Sequence, residues 1–392
     1  MKIVLISSFY SEGMGYTENS LPKAFGILGH DTHVITSDLN VYGTSKDYLK
    51  NYLNFLGPSK QPIGEYMSDG FTVHRLPSIM IFGYVLISGL SKKLRELNPE
   101  IVHNTEVGSL QTFVVAFNKL FMPFRSFAES HQHMSVLNPA IRVKKHNFIP
   151  RLFFWMTRTL PIKIASLTIE KCYAISPDCY DVAETCYGIP KCKLMVQSLG
   201  TDSQLFHPVI NEDEIKDRRN LRRELGYAED DIVCIYTGRF TEDKNPLLLA
   251  KAVSSLGNQW HSLFVGEGPQ RKTISQEPST TILPFMKHTD LARLYRGADI
   301  AVWPKQDSMS MLDAASSGLP LVVSDQIGEM ERVLDNGYVY TEDDIVSLCE
   351  TLLKLADRKK RLELGRCGRL KIVDKFSWII VAKRYLVDYV SK

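Results

Sequence analysis

The segment YTGRFTEDKNPLLLAKAV, Tyr236 to Val253, sets two cations just ahead of an apolar helical stretch. A strand ends at Gly238, and Arg239 and Lys244 stand in the loop before a helix that opens at Pro246. A helix N-terminus offers free N–H groups and the positive end of a dipole, so an Arg and a Lys beside it suit a diphosphate. Such a pair would stabilise the charge that develops on a nucleotide leaving group without a metal. A lone Arg and Lys in a loop are more often solvated surface cations; the neighbouring signals turn the reading toward a site.

The second signal is VWPKQDSMSMLDAASSGLPLVVSD, Val302 to Asp325. A strand ends at Pro304, and a polar loop leads into a helix that begins near Met309. Ser308 or Ser310 would cap it. The free N–H groups of Met309 to Met311 would bind phosphate or sugar oxygens. Asp313 lies in the second turn, where a carboxylate can accept two ribose hydroxyls or simply favour the helix dipole. Gly266, in VGEGPQR, lets backbone approach a phosphate or base, although a plain turn has the same composition. Met286, after the strand Ile282 to Leu283, is counted with this donor-binding set.

Two weaker signals lie in the first half of the chain. SEGMGYTE carries Gly13 and Gly15 directly before a helix. It is not a G-x-G-x-x-G fingerprint, so a dinucleotide is disfavoured. FAESHQHMS carries His131 and His133 after a strand. No further ligand cluster accompanies this H-x-H, so no metal is assigned. A histidine here would orient or polarise a substrate hydroxyl, or be an ordinary core or surface residue.

The elements that must position these residues alternate between apolar runs and helical patterns. Lys2 to Ser7 is a continuous apolar run of the kind that forms a buried parallel strand. A glycine loop, a helix over Thr17 to Leu28 stopped by Gly29, and a strand over Thr32 to Thr36 complete a βαβ unit. Strands follow at Phe71 to Arg75, Ile101 to Asn104, Ser126 to Glu129 and Cys172 to Ile175, with helices at Ser88 to Leu97 and Pro177 to Tyr187. After a break near Gly200 to Pro208, a charged helix spans Asp213 to Leu225. The alternation then restarts with strands at Ile232 to Thr237, His261 to Val265, Ile300 to Trp303 and Leu319 to Val323. Two such runs imply an α/β protein of two Rossmann-like parallel-sheet domains. The assigned limits are 1–199 and 200–375, followed by a C-terminal helix over 376–392.

Composition agrees with this class. The 392 residues are too many for one ordinary core. Apolar residues make up 44% and charged residues 23%, an ordinary globular balance. A formal charge of +3 is too small to argue for nucleic-acid binding, so no nucleic-acid partner is expected and any basic patch is local. The seven cysteines include no C-x-x-C pair; Cys172, Cys179, Cys186 and Cys192 read as apolar filler in a reducing compartment. The N-terminal apolar run is too short for a signal peptide and no 18-residue apolar span occurs, so the expectation is a cytoplasmic protein. Ile141 to Ile164 mixes Lys, Arg and aromatics, the composition of an interfacial helix or of a buried helix edged by snorkelling cations.

Taken together, the motifs resemble the retaining, GT-B-fold glycosyltransferases of family 4 (group 1 type), nearly end to end. Gly29–His30 with His33–Val34 looks like that family's G-H-x-V-x-V-x-T segment, and NPEIVH at Asn98 to His103 like its P-D-I-V-H strand. Ala174 to Pro208 is similar to the interdomain crossing. Gly238, Arg239 and Lys244 match G-R-x-x-x-x-K; GEGP at Gly266, LYRGADIAVWP at Leu294 to Pro304, and FSW at Phe376 also match. The resemblance implies a GT-B fold whose two domains face a cleft, with the last helix packing back on the first domain. It implies transfer with retention from a nucleotide-diphosphate sugar to an acceptor hydroxyl, with no cofactor or metal. Arg239 and Lys244 would hold the diphosphate, Asp313 the ribose, and His133 or His131 would line the reaction centre near Gly13 to Gly15. One position departs from the pattern: Lys305 stands where the family has the first glutamate of E-x7-E, and Asp307 is two positions late. A lipid-linked or cell-envelope glycan acceptor and weak peripheral membrane contact are the partner expectations. A sugar-nucleotide epimerase and a non-catalytic nucleotide-binding subunit are the competing readings.

Overall fold

A computed structural model of the chain describes residues 1–134 and 152–391. Ser135 and residues 141–151 of the basic, aromatic segment lie outside the described residues. The chain divides into two compact units, residues 1–199 with 381–392, and residues 200–380.

The strands of the first unit are β1 (Lys2–Ser7), β2 (Asp31–Ser37), β3 (Gly64–Ser68), β4 (Phe71–Leu76), β5 (Ser78–Ile81), β6 (Tyr84–Ile87), β7 (Ile101–Asn104), β8 (Arg125–Ser130), β9 (Lys171–Ala174) and β10 (Leu194–Val196). Eight of them form one sheet in the order β10-β9-β8-β7-β1-β2-β4-β3, and β5 and β6 make a separate hairpin. All neighbours in the large sheet are parallel except the β3–β4 edge pair. Ile3 to Ile6 are fully buried, as a strand covered on both faces requires. The strand order reverses at β1, between β2 and β7, which opens a crevice at the carboxyl ends of β1 and β7. The helix after β1 runs Thr17–Ile27, and Gly29 beyond it takes φ 85°, the left-handed conformation that ends a helix. β3 and the β5–β6 hairpin are absent from the sequence reading, because their half-exposed, mixed composition gives no continuous apolar run.

The C-terminal helix spans Trp378–Val390. From Val381 onward it packs on the first unit, with Val381, Ala382, Tyr385 and Tyr389 buried. Arg125 donates to the Tyr389 carbonyl at 2.7 Å, and the Tyr173 hydroxyl to Asp388 at 2.9 Å. Residues 376–380 belong to the second unit. Thr201 and the 376–378 backbone are laddered there, through Thr201 N to Phe376 O at 2.8 Å and Trp378 N to Thr201 O at 3.0 Å.

In the second unit β11 (Ile232–Thr237), β12 (Trp260–Val265), β13 (Thr280–Leu283), β14 (Ile300–Trp303), β15 (Leu321–Ser324) and β16 (Gly337–Tyr340) form one sheet in the order β13-β12-β11-β14-β15-β16. Every pair is parallel. β11, β14 and β15 are buried along their whole length. The order reverses between β11 and β14. The two loops that carried the strongest sequence signals therefore leave neighbouring strands at the switch point, where open α/β sheets bind ligands.

Candidate functional site

The loop after β11 is built on glycine contacts. Gly238 has φ 149°, and a Cβ there would stand 2.9 Å from the Tyr236 hydroxyl, which donates to the Arg239 carbonyl at 2.9 Å. Gly266, after β12, also has φ 149°, and a Cβ on it would lie 1.9 Å from the Gly238 carbonyl oxygen. No side chain fits between these backbones. The two loops are zipped together by Gly238 N to Val265 O at 3.0 Å and Phe240 N to Glu267 O at 2.9 Å. The outcome is a fixed platform from which Arg239 projects.

Arg239 is 66% exposed, and its nearest carboxylate is Asp243 at 3.9 Å. Lys244 is partly buried. The only partner of its ammonium among the described residues is the Asp307 carbonyl oxygen, at 2.9 Å. Burial, and then repulsion from Arg239, pushes its pKa below the usual lysine value. A half-buried cation with no carboxylate partner has unmet demand for an anion. The helix behind it, Pro246–Ser255, opens with proline at its first position and with Asn245 at φ 46°.

The loop after β14 differs in part from the sequence expectation. The helix runs Ser310–Ser316. The N–H groups of Ser310 and Met311 are not free: they donate to Ser308 Oγ at 3.3 Å and Ser308 O at 3.1 Å. The last residues of the loop thus fold onto Ser308, and this tight turn uses up two of the donors expected to bind ligand. Ser308, Met309 and Ser310 are all partly exposed. Asp313 is 4% exposed. Thr201 donates to its Oδ1 at 2.5 Å and His288 Nε2 to its Oδ2 at 2.8 Å. Each oxygen keeps a second lone pair, so both can still accept a hydroxyl. Burial opposes charge on His288, but the Asp313 carboxylate outweighs it and raises the His288 pKa. Met286 is half-buried and packs on the core of the second unit.

Lys305 is turned onto Asp343 at 2.7 Å and Glu342 at 3.8 Å. Asp343 also accepts from the Asn245 side chain at 2.9 Å, which ties the two loops together. Asp307 takes the Gly328 N–H on Oδ2 at 3.0 Å. Its Oδ1 is buried and has no hydrogen-bond partner among the described residues.

Gly15, His131 and His133 belong to the first unit. Gly13 and Gly15 have φ 73° and 68°, so both need the freedom of glycine. A pocket of about 320 Å³ opens at the β1/β7 switch point, lined by Ser8, Phe9, Tyr84, Glu106, His131 and Tyr187 among others. Of the two histidines, His131 faces this pocket. His133 is 45% exposed and paired with Asp178 at 3.0 Å, in the first turn of the helix Pro177–Thr185. Sequence reasoning missed His288, Thr201 and Asp343, and it missed Glu129, which holds His131. Glu129 stands inside the FAESHQHMS motif, but nothing in the sequence marks it as buried. Among the described residues no group of three His, Cys, Asp or Glu side chains could hold a metal ion, and all seven cysteines are free.

Residues 231–358, which carry β11 to β16 and both donor-side loops, match the family described as glycosyl transferases group 1. Over this segment the chain is similar to the group 1 glycosyl transferases. Its curated relatives include the lipopolysaccharide 1,2-N-acetylglucosaminetransferase of Salmonella typhimurium, 30% identical over 193 residues, covering 42% of this chain and 50% of that one. The D-inositol 3-phosphate glycosyltransferase 1 of Catenulispora acidiphila is 26% identical over 218 residues, covering 49% and 50%. The chain spans about half the length of the curated relatives it matches. Solved structures match over the full chain: sucrose-phosphate synthase from Thermosynechococcus elongatus at TM-score 0.67 and 19% identity, covering 99% and 98%, and Anabaena HepE in complex with UDP at 0.68 and 16%, covering 99% of each. The chain thus has the GT-B fold, with two Rossmann-like α/β units. No helix of its described residues is long and apolar enough to cross a membrane.

Proposed function

We propose that the chain transfers a sugar from a nucleotide-diphosphate donor to an acceptor hydroxyl, with retention and without a metal ion. The observation that carries this reading is the pair of cations at the β11/β14 switch point: among the described residues Lys244 is partly buried with only a carbonyl oxygen for company, and Arg239 is open to solvent beside it. A diphosphate supplies the negative charge that Lys244 lacks, and its leaving oxygens gain charge as the sugar bond breaks. Cations fixed in advance stabilise that state more than the ground state. Asp313, oriented by His288 and Thr201, takes the ribose hydroxyls. Gly238 and Gly266 admit the phosphates close to backbone. Ser308, Met309, Ser310 and Met286 border the donor, and the unpartnered Asp307 Oδ1 takes the sugar hydroxyl that Lys305, turned away onto Asp343, does not.

The acceptor falls to the first-unit pocket beside His131, and Gly15 serves the same unit as a substrate-binding position. With retention the departing phosphate takes the acceptor proton, so His131 serves as a hydrogen-bond donor rather than a base. UDP-sugars are the donors to test first, because HepE was solved with UDP and with UDP-glucose. The relative named for lipopolysaccharide supports a cell-envelope or lipid-linked acceptor. Peripheral membrane contact through the first unit fits its exposed Phe117, Leu120, Phe121, Ile164 and Leu167, which lie on or beside the packed helices Gln111–Lys119 and Leu160–Ala165. A cytoplasmic location follows from this reading.

The test is product analysis with a panel of nucleotide sugars in the presence of a chelator. Free nucleotide diphosphate together with a glycosylated acceptor, undiminished by chelation, is expected. An epimerised donor with no acceptor product would replace this reading with the epimerase one, and loss of turnover on chelation would remove the metal-free mechanism. The relatives are transferases by name, which does not favour the epimerase or the non-catalytic subunit.

A further inference from the structure

Beneath His131 the first unit buries a polar network that the transfer reading leaves unused. Glu129, at the end of β8, is fully buried. Its Oε2 accepts from His131 Nε2 at 2.5 Å. Its Oε1 accepts from the Tyr385 hydroxyl at 2.6 Å and faces His103 Nε2 at 3.2 Å. His103 Nδ1 in turn meets the Tyr389 hydroxyl at 2.5 Å. Tyr385 and Tyr389 come from the C-terminal helix, His103 from β7. Both carboxylate oxygens are therefore occupied, and the His131 ring is held by one nitrogen with the other, Nδ1, left for the pocket.

We propose that Glu129 is a positioning residue: locked by Tyr385 from below, it fixes the ring of His131 and holds it in the charged, hydrogen-bond-donating form at the mouth of the first-unit pocket. The proposal rests on the reading of that pocket as the acceptor site. A fully buried carboxylate must be paired to stay ionised, and His131 is the one of its partners that reaches the pocket. The other groups facing His131 act in the same direction. Glu18, from the helix Thr17–Ile27, and Glu106, from the loop after β7, both favour its charged form. Burial raises the Glu18 carboxyl to about 7, so its help fades below neutral pH. On the far side of Glu129 stand His103, the Cys172 and Tyr173 side chains of β9, and the two tyrosines. Burial disfavours charge on His131, but Glu129 outweighs it and its pKa is raised; burial likewise opposes ionisation of Glu129, and the two histidines hold its carboxyl below the usual range.

The experiment is a pH titration of the histidine ring carbons by NMR on the full chain labelled with 13C-histidine, with His131 assigned from His131→Ala. Glu129→Gln is expected to lower the His131 midpoint by about one unit or more, and Tyr385→Phe to lower it less, while Glu129→Asp restores part of the shift. Should Glu129→Gln fail to fold, Tyr385→Phe carries the same test. An unchanged His131 midpoint in Glu129→Gln, or in Tyr385→Phe where that variant stands alone, would overturn the proposal. Turnover separates this from the transfer reading. If Glu129→Gln and His131→Ala both lose about tenfold or more in kcat with donor KM unchanged, the two readings stand together. If His131→Ala keeps the rate of the parent while the midpoint still moves, the positioning of His131 holds and the assignment of the pocket to the reaction falls.

Discussion

Replacing Lys244 by alanine tests the donor site most directly. The ammonium is partly buried, and its only partner among the described residues is the Asp307 carbonyl oxygen at 2.9 Å, so the change removes little from the free protein. A charge-assisted hydrogen bond to phosphate contributes about 1.5–3 kcal/mol, which is about 10- to 100-fold in affinity for UDP. The effect on turnover is larger, because the leaving diphosphate gains charge in the transition state; about 3–4 kcal/mol, or roughly 100- to 1000-fold, is expected. Arg239 is 66% exposed, so solvent screens it, and Arg239→Ala should cost UDP binding only about 1 kcal/mol. Calorimetric titration with UDP at low and high salt measures both. The Arg239 contribution should shrink with salt and that of Lys244 should persist, because a partly buried charge is screened less. Equal UDP affinity in the parent and in a folded Lys244→Ala, or an Arg239 effect that exceeds that of Lys244, would refute the reasoning.

Gly266→Ala should lower the thermal midpoint of the second unit by about 6 °C or more, because a Cβ 1.9 Å from the Gly238 oxygen forces the two loops apart at a cost of roughly 3 kcal/mol; an unchanged melting curve counts against the backbone contact. The raised pKa of His288 makes stability depend on pH. Its contribution is fully present below the unfolded value of about 6.5 and is lost as pH rises through the folded value. Melting of the parent should therefore weaken with pH above that point, and His288→Gln should flatten the dependence. Liposomes with anionic lipid should carry the chain upward on flotation at low salt, and Phe117→Asp with Phe121→Asp should abolish this; no flotation of the parent removes the membrane contact.

The sequence by itself determined the fold class and the order of most elements. Strands covered on both faces must be continuous apolar runs, and Ile3 to Ile6 and Ile232 to Tyr236 can hardly be anything else. It also located the glycine loops and cations at strand ends, because loops after parallel strands are where side chains meet ligands. Edge strands such as Gly64–Ser68 escaped it, since half-exposed residues carry no apolar signature. The tertiary structure alone decided which partners each polar group has. Asp313 is oriented by Thr201, 112 positions away, and Glu129 by Tyr385, 256 positions away. Such hydrogen bonds form only when the chain brings distant segments within 3 Å, and no local pattern encodes that distance. The choice between His131 and His133 has the same origin: the two are one residue apart, and only the packing of β8 turns one toward the pocket and the other toward Asp178.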